Sequence, residues 1–450
     1  MSRFAFRLLA VVVVVVIVGI GVLLWLVLAP GPADFAGGHK VALADYHAGN
    51  PTGVPAALAN ASLIQRGEYL ARAGDCVSCH TAKGGREFAG GFAITLPFGT
   101  IWSTNITPDK ETGIGLYSDA DFLKAIHRGT RRDGRPLYPA MPYASYTYMS
   151  DADALAIKAY LFSLKPVRTP YHANTLVFPF NHRRLIALWS WLFNANTRFQ
   201  PNADRSTAWN RGAYIAEALA HCGECHTPRT IGLSLDNRRK FAGAVTGGWS
   251  AYNITGDRSA GIGAWSDADV LGYLARGHAA GHGTASGAMG EAVDNGFAAM
   301  TPDDLRAIIA YVRSVPAIAS PDLPATLATP APASPKEGVG IADARGKQLF
   351  EGACAACHGW TGASPLSSFA TLTGARAVND PSATNVAQIV ISGTRRTTPK
   401  GALSMPAFGA SLSDSEIAAV ANYVTARFGA KPSSVAVKDI ASLRRQSAQP

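Results

Sequence analysis

One five-residue pattern occurs three times in this chain: CVSCH at residues 76–80, CGECH at 222–226 and CAACH at 354–358. The three copies contain all six cysteines of the 450-residue sequence, so no cysteine is left for another site. Their first cysteines are separated by 146 and 132 residues. A pattern that returns at intervals of domain size indicates three copies of one structural module.

The chemistry of these residues fits the covalent attachment of haem. Two thiols three positions apart on a helical turn can add to the two vinyl groups of one haem, and the histidine that follows can bind the iron. A zinc site would need four ligands gathered together, and disulfides or redox-active dithiols do not require a histidine after every second cysteine. We therefore predict three covalently bound c-type haems, attached through Cys76, Cys79, Cys222, Cys225, Cys354 and Cys357, with His80, His226 and His358 as the first axial ligands.

Further repeats surround the three motifs. An Arg-Gly pair lies shortly before each motif, at 66–67, 211–212 and 345–346. A hydroxyl followed three residues later by an acidic side chain is typical of a helix start, and it predicts helices that begin near Ser118, Ser150, Ser266, Thr301 and Ser413. A helix before the motif and a helix that closes the module form the arrangement of class I c-type cytochromes, which these modules resemble. The predicted fold is therefore all-α, with three tandem class I cytochrome c domains behind an N-terminal transmembrane helix.

The positions of the repeats also predict the domain boundaries. A membrane anchor at 1–34 and a linker at 35–60 precede cytochrome domains at 61–166, 206–316 and 339–430, with connectors at 167–205 and 317–338 and a tail at 431–450. The second connector is rich in proline and alanine, which is typical of a semi-rigid spacer. The third cytochrome domain is therefore predicted to be set apart from the other two.

Methionine is the predicted second axial ligand of each haem. Met149 and Met300 come directly before the cap of a closing helix, where the third module has Leu412, so this position is predicted to pack on the helix as a hydrophobic staple. Apart from the initiator, three methionines remain. They are Met141, Met289 and Met405, which follow their histidines by 61, 63 and 47 residues on predicted loops. A thioether ligand favours the reduced iron and raises its potential.

The second site has alternative ligands. His278 and His282 lie in the same glycine-rich stretch as Met289, and either could replace it to give a two-histidine haem of lower potential. Asn105 and Asn253 recur in the sequence Asn-Ile-Thr. They are predicted either to bond the haem propionates or to hold a turn.

The N-terminus carries a membrane signal. Residues 8–28 form an unbroken run of 21 apolar or glycine residues, which is long enough to cross a bilayer as a helix. A cleavable signal peptide is the alternative, but its apolar region is normally shorter. Arg3 and Arg7 precede the run, and Asp34 is the first charged residue after it. The positive-inside rule therefore places the body of the chain in the periplasm.

The net charge of +10 gives little support for nucleic-acid binding, because the basic residues are scattered in twos and threes. A positive surface of this kind suits anionic lipid or an acidic partner. The stretch LIALWSWLF at 185–193 follows Arg183 and Arg184 and is too short to span a membrane. It predicts an interfacial helix or a patch for a partner subunit, with packing between modules as the alternative.

Catalytic motifs are missing from the sequence. It contains no phosphate-binding loop, dinucleotide fingerprint, nucleophile elbow or metalloprotease helix. We therefore predict no catalytic residues and an electron carrier rather than a catalyst. A haem peroxidase is a further alternative, but it needs an open position on the iron, and three available methionines argue against one.

Several longer stretches between residues 60 and 430 carry a family resemblance: RGEYLARAGDCVSCHT, PFGTIWSTNITPD, LYPAMPY, RGAYIAEALAHCGECHTPR, ASGAMGEAV and SMPAFGASLSDSEIAAVANYV. They resemble the three-haem cytochrome c subunits of bacterial membrane-bound periplasmic dehydrogenases. The resemblance implies a subunit that docks on a catalytic dehydrogenase subunit and passes its electrons to ubiquinone in the membrane.

The same resemblance implies a choice of catalytic partners. These are a quinoprotein alcohol dehydrogenase, a flavin-dependent sugar or sugar-acid dehydrogenase, or a molybdenum aldehyde dehydrogenase. The stretches GHGTASGAM and ATLTGARAVNDPSATN are more similar to the molybdenum type. A free-standing, membrane-anchored electron carrier that feeds a terminal oxidase is the alternative function.

Overall fold

The computed structural model describes residues 3–28, 40–42, 52–319, 344–398 and 401–447, and most of its regular structure is helical. Each module contains the same four helical elements in the same order. The opening helices are Leu63–Ala73, Thr207–Tyr214 and Ala344–Ala353, and the motif turns are Cys76–Cys79, Gly223–His226 and Ala355–His358. The middle helices are Asp119–Arg128, Asp267–Arg276 and Thr384–Ser392, and the closing helices are Asp151–Ser163, Pro302–Ser314 and Asp414–Phe428. Further helices are Arg3–Val27, Tyr143–Tyr146, Arg183–Phe193, Gly287–Asn295 and Val437–Ser447.

The predicted helix starts are confirmed. The hydroxyl of each cap accepts a hydrogen bond from the backbone amide three residues later, at Ser118, Ser150, Ser266, Thr301 and Ser413. At Ser118, Ser266 and Ser413 the acidic side chain also bonds the cap's own amide, which completes a capping box.

The prediction of a purely α-helical chain needs a correction, because the described residues also form five two-stranded antiparallel sheets. The pairs are Lys40–Ala42 with Thr197–Phe199, Ala93–Leu96 with Gly99–Trp102, Ala244–Thr246 with Trp249–Ala251, His278–Ala279 with Gly283–Thr284, and Thr394–Thr398 with Gly401–Met405. One hairpin turns on Gly247 and Gly248, which both adopt the positive φ that a tight two-residue turn requires. Such ribbons are too short to show a clear two-residue periodicity in the sequence.

The glycine of each Arg-Gly pair lies where the opening helix crosses the closing helix. A Cβ atom on it would lie about 2 Å from a backbone oxygen of the closing helix: 1.9 Å from Ala156 for Gly67, 1.8 Å from Ala307 for Gly212 and 2.3 Å from Ala419 for Gly346. Only glycine therefore allows the two helices to touch. The neighbouring arginine pairs with the acidic side chain three residues after the cap of the closing helix, as Arg66 with Asp153, Arg211 with Asp304 and Arg345 with Glu416.

Two buried tyrosines join the first and second modules reciprocally. The Tyr69 hydroxyl of the first donates to Asp304 of the second at 2.7 Å, and the Tyr214 hydroxyl of the second donates to Asp153 of the first, also at 2.7 Å. The buried apolar residues of both modules form one continuous cluster. The third module has Gln348 at the position of these tyrosines and a separate apolar cluster. The first two modules therefore share one core.

The third module is not set apart, contrary to the expectation from the proline- and alanine-rich connector. It contacts the hairpin of the second module, where Tyr252 donates to Asp380 at 3.1 Å and Gln388 donates to the Gly248 carbonyl at 3.0 Å. Residues 320–338 of the connector lie outside the described residues. Part of the predicted tail forms the helix Val437–Ser447, and its fully buried Ile440 belongs to the core of the third module.

Candidate haem sites

Each motif histidine is held by the same hydrogen bond. The Nδ1 atom donates to a backbone carbonyl at 2.6 Å in all three modules: His80 to Thr104, His226 to Tyr252 and His358 to Ala370. A carbonyl can only accept, so Nδ1 carries the proton and Nε2 keeps its lone pair. Burial also lowers the pKa of all three imidazoles, which favours the neutral form that binds metal. All three histidines are thus prepared for a metal at Nε2.

All six motif cysteines are free of disulfide bonds. Burial raises the pKa of the Cys76 and Cys222 thiols to about 12, so they stay protonated at neutral pH. A zinc site would need four ligands gathered together. The described ranges contain no cluster of three or more His, Cys, Asp or Glu side chains suited to a metal ion. The residues therefore fit a group that bonds covalently to the cysteine sulfurs and takes the histidine as its metal ligand.

A mostly apolar cavity of about 740 Å³ joins the second and third modules. Its walls include the motif residues of both: Cys222, Cys225, His226, Cys354, Cys357 and His358. Cys79 of the first motif and Asp75, which directly precedes that motif, also reach the wall. An apolar space of this size, bordered by thiols and imidazoles, fits a flat macrocycle held between its covalent anchors and the module core.

The first and second motifs are each hydrogen-bonded to a segment of the other module. The middle residue Ser78 of the first motif accepts a hydrogen bond from Asn295 at 2.8 Å. Its counterpart Glu224 in the second motif accepts one from Ser145, also at 2.8 Å. Each bond joins the motif of one module to a segment of the other. The second motif therefore borders both of its neighbours.

The methionines separate into two groups. Met289 and Met405 line the cavity together with the motif residues, and Met141 is half-buried against the shared core. Met149 and Met300 are buried in that core, and Leu412 packs at the same place in the third module, so the staple prediction is confirmed. The prediction of loops is wrong for two residues, because Met289 lies on the helix Gly287–Asn295 and Met405 ends a strand.

Both alternative ligands of the second site stack on aromatic rings, and each has one buried ring nitrogen without a hydrogen-bond partner among the described residues. The His278 ring stacks on Phe369 with centroids 4.4 Å apart, and its Nδ1 is 3.0 Å from the Thr284 hydroxyl. His282 lines the cavity, but its ring stacks on Trp265 at 3.9 Å and its Nε2 is 3.7 Å from Asp269. The two asparagines hold turns: Asn105 donates to the Val167 carbonyl at 2.6 Å and Asn253 donates to the Ile318 carbonyl at 2.7 Å.

Comparison with known proteins identifies the family. A family model described as cytochrome c matches residues 64–165, and one described as cytochrome c oxidase, cbb3-type, subunit III matches residues 342–424. The gluconate 2-dehydrogenase cytochrome c subunit of Pantoea cypripedii is 40% identical over 86% of this chain and 90% of its own length. The chain belongs to the family of dehydrogenase cytochrome c subunits. This cytochrome subunit is thus an electron-transfer component and not the catalytic subunit.

Other relatives of this cytochrome subunit come from several dehydrogenases. The fructose dehydrogenase cytochrome subunit of Gluconobacter japonicus is 37% identical over 88% of this chain and 85% of its own length. A nicotinate dehydrogenase component of Pseudomonas putida is 40% identical over 82% of this chain, which corresponds to 31% of that longer protein.

The cytochrome subunit has one helix, among the residues described, that is long and apolar enough to cross a membrane, Arg3–Val27. Its last turn lies against the second module, where the Arg238 guanidinium is 4.2 Å from the centre of the Trp25 ring. The surface helix Arg183–Phe193 lies beside this contact. Its Trp189 indole donates to the Gly232 carbonyl at 2.8 Å, whereas Trp191 is 77% exposed. One side of the surface helix therefore packs on the protein, and the other faces outward.

The carbonyl partners of the motif histidines were not predicted. A signal for two of them was present, because Thr104 and Tyr252 directly precede the recurring Asn-Ile-Thr sequences. The turn that each asparagine holds presents the preceding carbonyl to the imidazole. The recurrence therefore has a structural explanation that also serves the haem site.

Proposed function

We propose that this cytochrome subunit carries three covalently bound haems and conducts electrons from a catalytic dehydrogenase subunit to ubiquinone in the cytoplasmic membrane. The main support is the hydrogen bond that recurs at 2.6 Å behind each motif histidine. It leaves three identical Nε2 atoms for three irons. Haem supplies one-electron redox chemistry at each site, and the six cysteines and three histidines hold it.

Met141, Met289 and Met405 are the proposed second axial ligands. Met289 and Met405 support this role because they border the same cavity as their motif histidines. Met289 is preferred because each module offers one such methionine, and because His278 is not among the residues that line the cavity. A histidine and a methionine at each iron would leave no position for oxygen or peroxide, which suits electron transfer.

The second haem is the proposed centre of the electron path. Its motif shares the cavity with the third motif. Hydrogen bonds join the second motif to the first module and the first motif to the second module. The three tandem domains are thus proposed to form one short electron-transfer chain.

The surface helix is the proposed second membrane contact, with the body of the chain in the periplasm. The anchor helix ends beside the surface helix. The membrane surface from which the anchor emerges would therefore lie against the exposed side chains of the surface helix. Leu185, Leu188, Trp191 and Leu192 are exposed there, behind Arg183 and Arg184. An apolar face with flanking arginines suits the headgroup region of an anionic bilayer.

Removing the exposed apolar residues of the surface helix should weaken this contact. In a chain without residues 1–28, we expect Leu188→Ser with Trp191→Ser to reduce binding to anionic lipid vesicles at least roughly tenfold, because each buried side chain contributes about 1.5–3 kcal/mol. Vesicle co-sedimentation measures this. Trp360→Ser is a matched control, since Trp360 is 62% exposed in the third module. Equal binding by both variants would contradict the proposed membrane contact.

The complex itself tests the proposed function. Purification of the tagged chain from detergent-solubilised membranes should bring a larger catalytic subunit, give quinone reductase activity and yield a mass increased by three haems. The molybdenum aldehyde dehydrogenase type is the proposed partner, and metal analysis of the co-purified subunit distinguishes it from flavin or quinoprotein types. A chain isolated alone, oxidised directly by a terminal oxidase and indifferent to quinone, would contradict the proposal.

A further inference from the structure

One arginine of the third module is inserted into the second. Arg396 leaves the strand Thr394–Thr398, and its side chain is only 3% exposed. Its Nη1 donates to the Gly290 carbonyl at 2.5 Å, and its Nη2 lies 2.9 Å from an Asp294 oxygen. Both partners belong to the helix Gly287–Asn295, which carries Met289. The third module thus holds the helix that bears the proposed ligand of the second haem.

The guanidinium of Arg396 is incompletely paired. Its Nε is buried and has no hydrogen-bond partner among the residues described. The side chain borders the cavity together with His226 and Met289. An arginine has five N–H donors in a fixed fork, and a buried donor without an acceptor is costly. Because the same side chain borders the cavity, an anionic group bound there would supply an acceptor to the incompletely paired guanidinium.

The Arg396 side chain packs on the end of the middle helix of the second module. A Cβ atom on Gly277 would lie 2.3 Å from the Arg396 Nη2, so a side chain there would displace the guanidinium. Each middle helix ends at a glycine, namely Gly129, Gly277 or Gly393. This glycine is followed by Thr-Arg-Arg in the first and third modules, but by His-Ala-Ala in the second. The second module lacks an arginine of its own there. In the first module, Arg132 is half-exposed and lies 3.8 Å from Asp121.

We propose that Arg396 is a positioning residue of the second haem that the third module supplies. It fixes the Met289 helix through Gly290 and Asp294, and its free donor pairs with a haem carboxylate in the cavity. The inference rests on the proposed haem content. A cation beside a haem disfavours the more positive ferric state, so contact with the third module raises the potential of the second haem.

Two substitutions with opposite effects test this inference in the full-length, detergent-solubilised chain. Arg396→Gln should lower the reduced-to-oxidised ratio of the second haem about tenfold at a fixed electrode potential, which corresponds to about 59 mV for one electron. It should also weaken the methionine-dependent absorption of that haem. Asp294→Asn removes the neutralising carboxylate and should shift the same haem in the opposite direction. Spectroelectrochemical titration measures both, and Met289→Leu identifies the second haem.

Arg395→Gln is the matched control, because Arg395 is exposed on the same strand and its substitution removes the same charge. Potentials that move equally in Arg395→Gln and Arg396→Gln would overturn the inference, as would shifts of equal sign in Arg396→Gln and Asp294→Asn. If Arg396→Gln does not fold, the test rests on Asp294→Asn, which should raise the potential of the second haem. An unchanged or lower potential in that variant would overturn the inference. An error in the proposed ligation has a different signature: Met289→Leu then changes no haem, whereas the two charge variants still shift one in opposite directions.

Discussion

In a Gly346→Ala variant we expect the third module to lose about 3 kcal/mol of folding free energy. The new Cβ would lie 2.3 Å from the Ala419 carbonyl oxygen, and backbone atoms of the closing helix cannot rotate away as a side chain can. The helices must therefore separate, which opens the core around Phe350 and Tyr423. The melting temperature of the third module should fall by roughly 12–24 °C, followed by circular dichroism and haem absorbance.

The same helix offers a matched control. Gly352 lies in the opening helix Ala344–Ala353, and a Cβ on it would meet nothing within 4 Å. Alanine is a better helix former than glycine, so Gly352→Ala should stabilise the module by roughly 0.5–1 kcal/mol. If both variants melt like the wild type, the close helix crossing described for Gly346 is incorrect.

In a Met405→Leu variant we expect the third haem to lose its methionine-dependent absorption band and to fall in potential. Leucine has nearly the same volume but no sulfur, so the strand end and cavity wall should keep their packing. The iron loses a ligand that favours the reduced state and gains an open position. Potentiometric titration measures the first effect, and binding of added carbon monoxide to the reduced protein measures the second.

Met300→Leu controls for the loss of a methionine. Met300 is buried in the shared core before the closing helix, and its position is occupied by Leu412 in the third module. Leucine should therefore fit there, and all three haems should keep their spectra. If Met405→Leu retains its absorption band, potential and resistance to carbon monoxide, Met405 is not a ligand.

The local features of this chain could be predicted from its sequence, because they depend on residues close together in the chain. A hydroxyl and an acid three residues apart define a cap, and the haem motif lies within five residues. Helix starts at Ser118, Ser266 and Ser413 were therefore found to the residue. The resemblance carried by the longer stretches around the motifs likewise indicated the correct family.

Features that depend on contacts between modules could not be predicted in the same way. Nothing local to Tyr69 indicates that its hydroxyl meets Asp304, 235 residues later. Nothing local to Arg396 indicates a partner at Gly290 in another module. The Arg-Gly pairs are visible as repeats in the sequence. The close helix crossing that requires glycine is visible only in three dimensions.

The reciprocal tyrosine hydrogen bonds limit how this protein can be divided into separate modules. An excised first module would lose the tyrosine that bonds Asp153 and would leave its own Tyr69 without an acceptor, with one side of a shared apolar core open to water. An excised second module would lose the tyrosine that bonds Asp304 and would leave its own Tyr214 without an acceptor. The smallest unit of these two modules that could be transferred to an electrode or into another protein is therefore the first and second modules together.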